Sequence, residues 1–186
     1  IDNFQARLLN ENDIPLLQKF YEKHLKFFQI TTGKDPNKNE AEMEFKNVPE
    51  GKTIEDKFLI GLFDSVNLIA FVDLLQNYKQ DNQWSIGEYI IDMDYRGNGL
   101  ANKLLNALED VLVSLKVNSL RIIVQEQNIC AFSFWKKNNF IEIERIKQEI
   151  FPDKDNVILV KKLEKKEPSI EEKYFKDGKL ISFPSK

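Results

Sequence analysis

The residues best placed to do chemistry are those at 96–101, between an apolar strand pattern and an amphipathic helix pattern. Arg96 adds a permanent positive charge, and Gly97 and Gly99 allow backbone conformations and a close ligand approach that a Cβ would forbid. The first N–H groups of a helix have no partner within the helix and lie at the positive end of its dipole. The segment therefore predicts an anion site, made by main-chain amides between positions 97 and 102, with a pyrophosphate as ligand.

Two familiar phosphate motifs are excluded at this segment. A dinucleotide fingerprint needs a third glycine at position 102, where this chain has Asn102. A P-loop needs Gly-Lys-Ser or Gly-Lys-Thr, and neither occurs in the chain. Because a glycine-rich turn alone is weak evidence, the flanking elements have to decide what this one binds.

The flanking pattern predicts a strand, a helix, a second strand and a second helix. The run Glu88–Ile91 is the strand that leads into the loop, and leucine spacing from Leu100 to Leu115 predicts a helix with one face on a sheet. This helix is expected to end near Asn118, a residue that tolerates the left-handed conformation. A buried strand at 120–124 follows, and then a short helix at 128–140, capped by Asn128 and closed by Asn139 in a glycine-like role.

The rest of the chain predicts further strands and two helices before the tail. One helix is capped by Asn12, has Pro15 in its first turn and continues to Phe28. A shorter helix is expected at 39–45. The remaining segments predict strands, of which the second and third form a hairpin, at 4–9, 58–63, 68–75, 140–150 and 157–163.

The order of these motifs resembles the GCN5-related N-acetyltransferase (GNAT) family. That family has Gln/Arg-x-x-Gly-x-Gly/Ala, followed by an Asn-x-x-Ala-x-x-x-Tyr helix that ends in Gly-Phe. The matching positions here are Arg96, Gly99, Ala101, Asn128, Ala131, Trp135, Asn139 and Phe140. The resemblance covers most of 4–164 and implies an α/β fold, the acyl-CoA N-acyltransferase fold: a mixed, mostly antiparallel sheet of six to seven strands flanked by about four helices.

The resemblance also implies acetyl-CoA as cosubstrate, no metal, and a set of binding residues. The oxyanion formed during transfer would meet the backbone N–H of Ile91, where the strand bulges near 90–91 and splays from its neighbour. Trp135 replaces a tyrosine that protonates the leaving thiolate in many members, and indole cannot do so. The expected cofactor-binding residues are Ile91, Met93, Arg96, Gly97, Asn98, Gly99, Leu100, Ala101, Asn102, Asn128 and Trp135.

Acetyl transfer to an amine needs a proton acceptor. An alkylammonium has a pKa of about 10.4, so only about one molecule in a thousand is neutral at pH 7. Glu88 is the best-placed carboxylate for this role, because partial burial can raise its pKa to a useful value. An ordinary exposed strand residue is the competing interpretation. Tyr89 and Tyr95 are candidate acids for the leaving thiolate, and each is equally consistent with ordinary packing.

Other chemistry-bearing residues have simpler interpretations. His24, the only histidine, is expected to be a packed or solvent-edge residue, and Cys130 a small buried filler. One histidine and one cysteine cannot assemble a metal site. A lone cysteine cannot form an internal disulfide, which favours the cytoplasm. A net charge of −3 disfavours nucleic acid as a partner, and no apolar run approaches the roughly 20 residues of a membrane span.

The sequence therefore predicts one catalytic domain over 1–164 and an extension over 165–186. Within the extension, Asp177-Gly178 favours a hairpin, while Ser169 and Glu172 could instead form a capping box. The expected function is direct transfer of an acetyl group from acetyl-CoA to a primary amine of a small molecule in a ternary complex. Acetylation of a protein N-terminus or lysine, and a non-catalytic acyl-CoA-binding module, are the alternatives. The acceptor stays open, and a homodimer is compatible with the resemblance.

Overall fold

The computed structural model describes residues 4–164, 175–176 and 179–180. Within them the first seven strands form one sheet and five α-helices flank it. The strands of the sheet, β1 to β7, are Gln5–Leu8, Lys57–Asp64, Asn67–Leu75, Gln83–Ile91, Ser119–Gln125, Ile141–Lys147 and Asp155–Lys162. The helices, α1 to α5, are Ile14–Lys23, Leu25–Thr32, Glu40–Lys46, Leu100–Ser114 and Ile129–Lys137.

The sheet runs in the order β1-β2-β3-β4-β5-β7-β6. Its neighbours are antiparallel except β4 and β5, which are parallel. Parallel strands need a crossover connection, and α4 supplies it between β4 and β5. The expected mixed, mostly antiparallel sheet is confirmed, with five helices where about four were expected.

Each face of the sheet carries its own hydrophobic core. Leu105 of α4 and Trp135 of α5 pack on one face, and Leu17 and Phe28 of α1 and α2 pack on the other. Successive residues of β4 contribute to both cores, because Ile91 belongs to the first and Ile90 to the second. The central strand that leads into the glycine loop is thus held from both sides.

The predicted helix from Asn12 to Phe28 is wrong in its start and its continuity. Helix α1 begins at Ile14, after a 3-10 turn at Glu11–Asp13, and the cap of that turn is Asn10, whose side chain accepts from the Asn12 N–H at 3.0 Å. The helix breaks at His24, whose Nδ1 lies 2.6 Å from the Phe20 carbonyl oxygen. That carbonyl would otherwise accept the His24 backbone N–H, which donates to the Tyr21 carbonyl instead.

Helix α4 also ends earlier than expected, at Ser114 rather than near Asn118. Lys116 takes the left-handed conformation, with φ of 63°. The Val117 N–H then donates to the Leu112 carbonyl, the pattern of a Schellman cap. Of the last three apolar positions predicted for this helix, Leu112 is buried, while Val111 and Leu115 are exposed. At the end of α5, the glycine-like role of Asn139 is confirmed by its φ of 66°.

Three further comparisons concern residues outside the core. Cys130 is exposed, so its interpretation as a buried filler is wrong. In the extension two short strands, β8 (Phe175–Lys176) and β9 (Lys179–Leu180), pair antiparallel, while 169, 172 and 177–178 lie outside the described residues. The division at 164 stays a prediction. None of the helices described is both long and apolar enough to cross a membrane.

Candidate active site

Strand β4 carries a bulge next to Glu88. Leu74 pairs with Ile86 and Val72 with Tyr89, so Asp73 alone opposes both Gly87 and Glu88. The predicted bulge near 90–91 is wrong, because those residues pair regularly with β3. The bulge coincides with a close contact: a Cβ added to Gly87 would lie 2.1 Å from Asp73 Oδ2. Only glycine accommodates the Asp73 carboxylate at this point, and the extra residue is inserted there.

Beyond the bulge, β4 separates from β5. Their described ladder extends from Gln83↔Ser119 to Ile86↔Ile122, although β5 itself continues to Gln125 against β7. We call the opening between β4 residues 87–91 and the end of β5 the β4–β5 gap. Gly87 is exposed there and Glu88 is half-buried. The expected splay of the strand is therefore present, and it starts at the bulge.

The main-chain amide of Ile91 is oriented toward this gap. The Asp92 N–H donates to the Ile69 carbonyl of β3 at 2.8 Å, and the pairs Ala70↔Ile91 and Phe71↔Ile90 follow in the same register. Donor direction alternates along a strand, so the Ile91 N–H points away from β3 and toward the gap. This is the direction that an oxyanion donor requires, and the role stays a prediction.

The glycine loop has the geometry of an open anion cradle. Gly97 and Gly99 have φ of 82° and 84°, and a Cβ at either position would meet nothing within 4 Å. They are therefore glycines because of backbone conformation and not because of packing. One predicted amide is already engaged, since the Leu100 N–H donates to Asn98 Oδ1 at 3.1 Å. The loop surface at 96–99 is exposed.

Side-chain contacts fix the approach from β4 to the loop. Arg96 Nε donates to the Ile91 carbonyl at 2.8 Å, which folds this exposed arginine back along the strand end. Lys23 of α1 donates to the buried Asp92 carboxylate, and Asp92 also accepts the Asp94 N–H. Met93, a predicted binding residue, is half-exposed at 52%. The loop is thus anchored to both β4 and α1.

The remaining predicted binding residues lie where α4 meets α5. Asn128 Oδ1 accepts the Ala131 N–H at 3.2 Å, so this residue caps α5 as predicted. Exposed Asn102 accepts from Asn138 Nδ2 at 3.0 Å and thereby connects the two helices. The Ala101 carbonyl accepts the Tyr89 hydroxyl at 2.7 Å. These contacts hold the N-terminus of α4 in place beneath the loop.

The aromatic candidates are packed or hydrogen-bonded within the protein. Trp135 is 3% exposed and makes edge contacts with Tyr89 and Phe140, with ring centroids 5.2 and 4.9 Å apart. The structure therefore places its indole in the core, and contact with a cofactor stays a prediction. The Tyr95 hydroxyl donates to Asp64 Oδ2 at 2.7 Å. For Tyr89 and Tyr95 the packing interpretation describes what the structure shows.

Glu88 has a buried partner that the sequence did not reveal. The Tyr21 hydroxyl, fully buried, donates to Glu88 Oε2 at 2.8 Å. Burial raises the pKa of Glu88 well above its usual value, and the charge of Glu44 raises it further. The hydrogen bond from Tyr21 acts in the opposite direction. One signal was available, because a tyrosine on an apolar stripe needs a partner for its hydroxyl.

Three more charged residues surround Glu88 on the face covered by α3. Asp73 lies across the bulge, and Lys57 Nζ sits 3.8 Å from Asp73 Oδ2. Lys57 also donates to the backbone carbonyls of Glu44 and Asn47 at 2.7 and 3.1 Å. On α3, Glu44 is turned further inward than Glu42, since its side chain is 18% exposed against 47% for Glu42. From the sequence, the glutamates at 40, 42 and 44 either favour a cationic acceptor or form an exposed helix face, and their spacing does not show that Glu44 approaches Glu88.

His24 is buried, which confirms the expectation of a packed residue. Its ring lies 4.2 Å from that of Phe20, and burial lowers its pKa. The imidazole is therefore neutral near pH 7, with Nδ1 donating to the Phe20 carbonyl.

The comparisons with known proteins bear on this arrangement. The family model described as "Acetyltransferase (GNAT) family" matches residues 17–140, about two thirds of the chain. This chain belongs to the acetyltransferase (GNAT) family. It is an acyltransferase by that membership, and the matched span includes Tyr21, the bulge, the gap and the loop. By sequence search, no curated protein matches this GNAT chain.

Solved structures share the GNAT fold at low sequence identity. An acetyltransferase from Thermus thermophilus has a TM-score of 0.70 at 17% identity, covering 87% of this chain and 97% of that one. A spermidine N-acetyltransferase from Vibrio cholerae, in complex with CoA and spermine, has a TM-score of 0.69 at 16% identity, covering 88% and 97%. A PaiA N-acetyltransferase from Thermoplasma acidophilum, in complex with coenzyme A, has a TM-score of 0.62 at 19% identity, covering 86% and 98%.

Proposed function

We propose that this protein transfers an acetyl group from acetyl-CoA directly to a primary amine of a small molecule. The observation that carries the proposal is the continuity of the β4–β5 gap with the open glycine loop. The gap begins at Gly87 and Glu88, and the loop follows Ile91 after one short turn. An acetyl donor bound at the loop would reach the bulge along the edge of β4 that no longer pairs with β5.

The loop would bind the diphosphate of the donor. Gly97 and Gly99 present the backbone at positive φ with free space around it, at the N-terminus of the 15-residue helix α4. Helix amides and the helix dipole favour phosphate. The related structures from Thermoplasma acidophilum and Vibrio cholerae were solved in complex with coenzyme A, which supports the same ligand class here.

Glu88 would act as the general base at the bulge. Its raised pKa brings a carboxylate closer to the operating pH, where a base is most effective. The amine nitrogen attacks the thioester carbon, the C–S bond breaks, and the ammonium proton passes to Glu88. The Ile91 N–H would donate to the oxyanion. The thiolate, with a pKa of about 8 to 9, leaves as an anion and takes a proton from water, so buried Trp135 need supply none.

The charge around Glu88 favours a cationic acceptor. Glu44, Asp73 and Glu88 lie on one face with Lys57 as their cationic neighbour. A protonated amine brings a positive charge to this negative environment. The Vibrio cholerae relative was solved with spermine, a cationic amine, and this agrees with the proposed class.

One observation favours a second candidate, a CoA-binding protein without turnover. Indole replaces the phenol expected at 135, and it is buried. Such a protein would bind acetyl-CoA but release no free thiol with any amine. Acetylation of a protein N-terminus or lysine is a further outcome that the same experiment separates.

A free-thiol assay with acetyl-CoA and a panel of amines, including short peptides with a free N-terminus or lysine, tests the proposal. We expect thiol release with small cationic amines and a loss of at least about 100-fold in kcat for Glu88→Gln. Glu22→Gln, an exposed glutamate on α1, is the matched control and should behave as wild type. Binding without thiol release would support the second candidate. A Glu88→Gln variant with unchanged rate and pH dependence would remove Glu88 from the mechanism.

A further inference from the structure

Buried acceptor atoms without partners are concentrated around the β4 bulge. Among the described residues, four buried side-chain atoms have no hydrogen-bond partner: His24 Nε2, Glu44 Oε1, Asp73 Oδ1 and Ser85 Oγ. The last three lie where α3 covers the sheet. Glu44 belongs to α3, Asp73 and Leu75 share one face of β3 because they are two residues apart, and Ser85 pairs with Leu75 on that face. Two of the three are carboxylate oxygens. A buried acceptor without a donor is costly, so this concentration needs an explanation.

The two carboxylate oxygens belong to side chains that touch each other. Asp73 makes side-chain hydrogen-bonding contact with Glu44, although two ionised carboxylates offer only acceptors. Lys57 does not resolve the conflict. Its ammonium forms an ion pair with Glu44 Oε1 at 2.5 Å and lies 3.8 Å from Asp73 Oδ2, so Asp73 Oδ1 is still left without a donor. One added proton would turn the contact between the two carboxylates into a donor–acceptor pair.

We propose that Asp73 and Glu44 share a single proton at neutral pH and act as a positioning pair for Glu88, a role that rests on the proposed function. The pair acts in two ways. The Asp73 carboxylate rests against Gly87 and so sustains the bulge that presents Glu88. The pair also places one negative charge, rather than two, beside the base.

The charge balance supports one proton in the pair. With this proton, and with Glu88 ionised as a general base must be, the pair carries one negative charge, Glu88 a second and Lys57 one positive charge, so the cluster holds a net charge of minus one. Without it the cluster would hold minus two in a site where Asp73 is 8% exposed, and uncompensated buried charge is strongly disfavoured. Burial accordingly raises the pKa of Asp73 to about 7, with the charge of Glu44 adding and Lys57 opposing.

The groups that face Asp73 come from every neighbouring element. They are Lys57 on β2, Glu44 on α3 and Glu88 on β4, with Tyr21 on α1 beyond Glu88. Uptake of the substrate proton by Glu88 would bring this whole cluster to neutrality. The shared proton thus leaves the cluster one charge away from neutral before the reaction.

Amide substitutions test the sharing directly, because an amide can donate the hydrogen bond that the shared proton provides. In Asp73→Asn the remaining Glu44 carries one negative charge, and in Glu44→Gln the remaining Asp73 does, so each single variant keeps the charge next to Glu88. We expect each to shift the acid limb of the kcat/KM pH profile by less than about half a pH unit. The double variant removes the charge and should lower that limb by about one to two pH units.

Glu42→Gln, the same substitution two residues away on α3 and more exposed, is the control and should leave the profile unchanged. Two independently ionised carboxylates would instead give two sizeable and additive single shifts. That additive result would overturn the proposal.

A measurement without turnover separates this proposal from the proposed function. In protein labelled with ¹³C at aspartate carboxyl carbons, the resonance lost in Asp73→Asn identifies Asp73. We expect this resonance to titrate near pH 7 in wild type and at least about one pH unit lower in Glu44→Gln. A wild-type Asp73 titrating near 4, or an unchanged step in Glu44→Gln, would overturn the pair even if acetyl transfer is established. A step as expected in a protein that transfers no acetyl group would keep the pair and refute the proposed function.

Discussion

A methyl group added at Gly87 tests whether the bulge depends on the Asp73 contact. The Cβ of Gly87→Ala would lie 2.1 Å from Asp73 Oδ2, 3.0 Å from its Cγ and 3.5 Å from its Cβ. Ordinary contacts need more than about 3 Å, so the carboxylate must move by about 1 Å. Asp73 is short and buried, and it already contacts Lys57 and Glu44, so it has little freedom to move.

We expect Gly87→Ala to lower the free energy of unfolding by about 2 to 3 kcal/mol, the upper part of the range for overpacking. Displacing Asp73 also moves Glu88, so kcat should fall at least about tenfold in the free-thiol assay. Urea denaturation measures the first effect, and the thiol assay measures the second.

A double variant gives the refuting result. Asp73→Ser shortens the clashing side chain, so Gly87→Ala should cost at least about 1 kcal/mol less in that background than in wild type. Equal costs in the two backgrounds would show that Asp73 is not the obstacle. A Gly87→Ala protein with wild-type stability and rate would refute the account of the bulge.

Three further expectations follow from the same site. Tyr21→Phe removes the hydrogen bond to Glu88, so the free energy of unfolding measured in urea should fall by about 1 to 2 kcal/mol. Because that hydrogen bond lowers the pKa of Glu88, the acid limb of the kcat/KM pH profile should move to higher pH, and an unmoved limb would contradict this. The pKa of Asp73 is raised to about 7, so its stabilising contribution is complete below about pH 4 and is lost as pH rises to 7. Over that range the free energy of unfolding of wild type should fall by up to about 4 kcal/mol relative to that of Asp73→Asn. A wild-type stability that rises relative to Asp73→Asn over the same range would contradict this. The pKa of His24 is lowered, so its contribution to stability is present above about pH 6.5 and is lost as pH falls. Thermal unfolding of His24→Gln at several pH values should lack this loss of stability in acid. Parallel plots of melting temperature against pH for wild type and His24→Gln would argue against it.

The parts of the site that the sequence predicted are those determined locally. Glycine at positions 97 and 99 predicts the backbone conformation of the loop, and the spacing of the leucines that follow predicts the helix. Asn128 caps α5 because its side chain needs only the Ala131 amide three residues away. Asn139 takes the left-handed conformation for reasons internal to the helix end. Local rules were sufficient in each case.

The parts that were missed depend on contacts distant in sequence. The hydroxyl that reaches Glu88 comes from Tyr21, 67 positions earlier. The bulge lies at Gly87 rather than at 90–91, and there the Asp73 carboxylate of β3 occupies the space that a Cβ of residue 87 would need. The break at His24 was missed for another reason, since its side chain competes with its own backbone for the Phe20 carbonyl. Periodicity cannot express that competition.

The most direct test of the central claim is a comparison of two donors by isothermal titration calorimetry. Acetyl-CoA and S-acetylpantetheine share the thioester arm, and only the first carries a diphosphate. With ¹⁵N-labelled protein, the amide signals of Gly97 and Gly99 report contact at the loop itself. We predict that acetyl-CoA binds more than about tenfold tighter than S-acetylpantetheine and shifts both signals. Absence of acetyl-CoA binding, or equal affinities with unshifted glycine signals, would contradict the claim that this loop holds the donor.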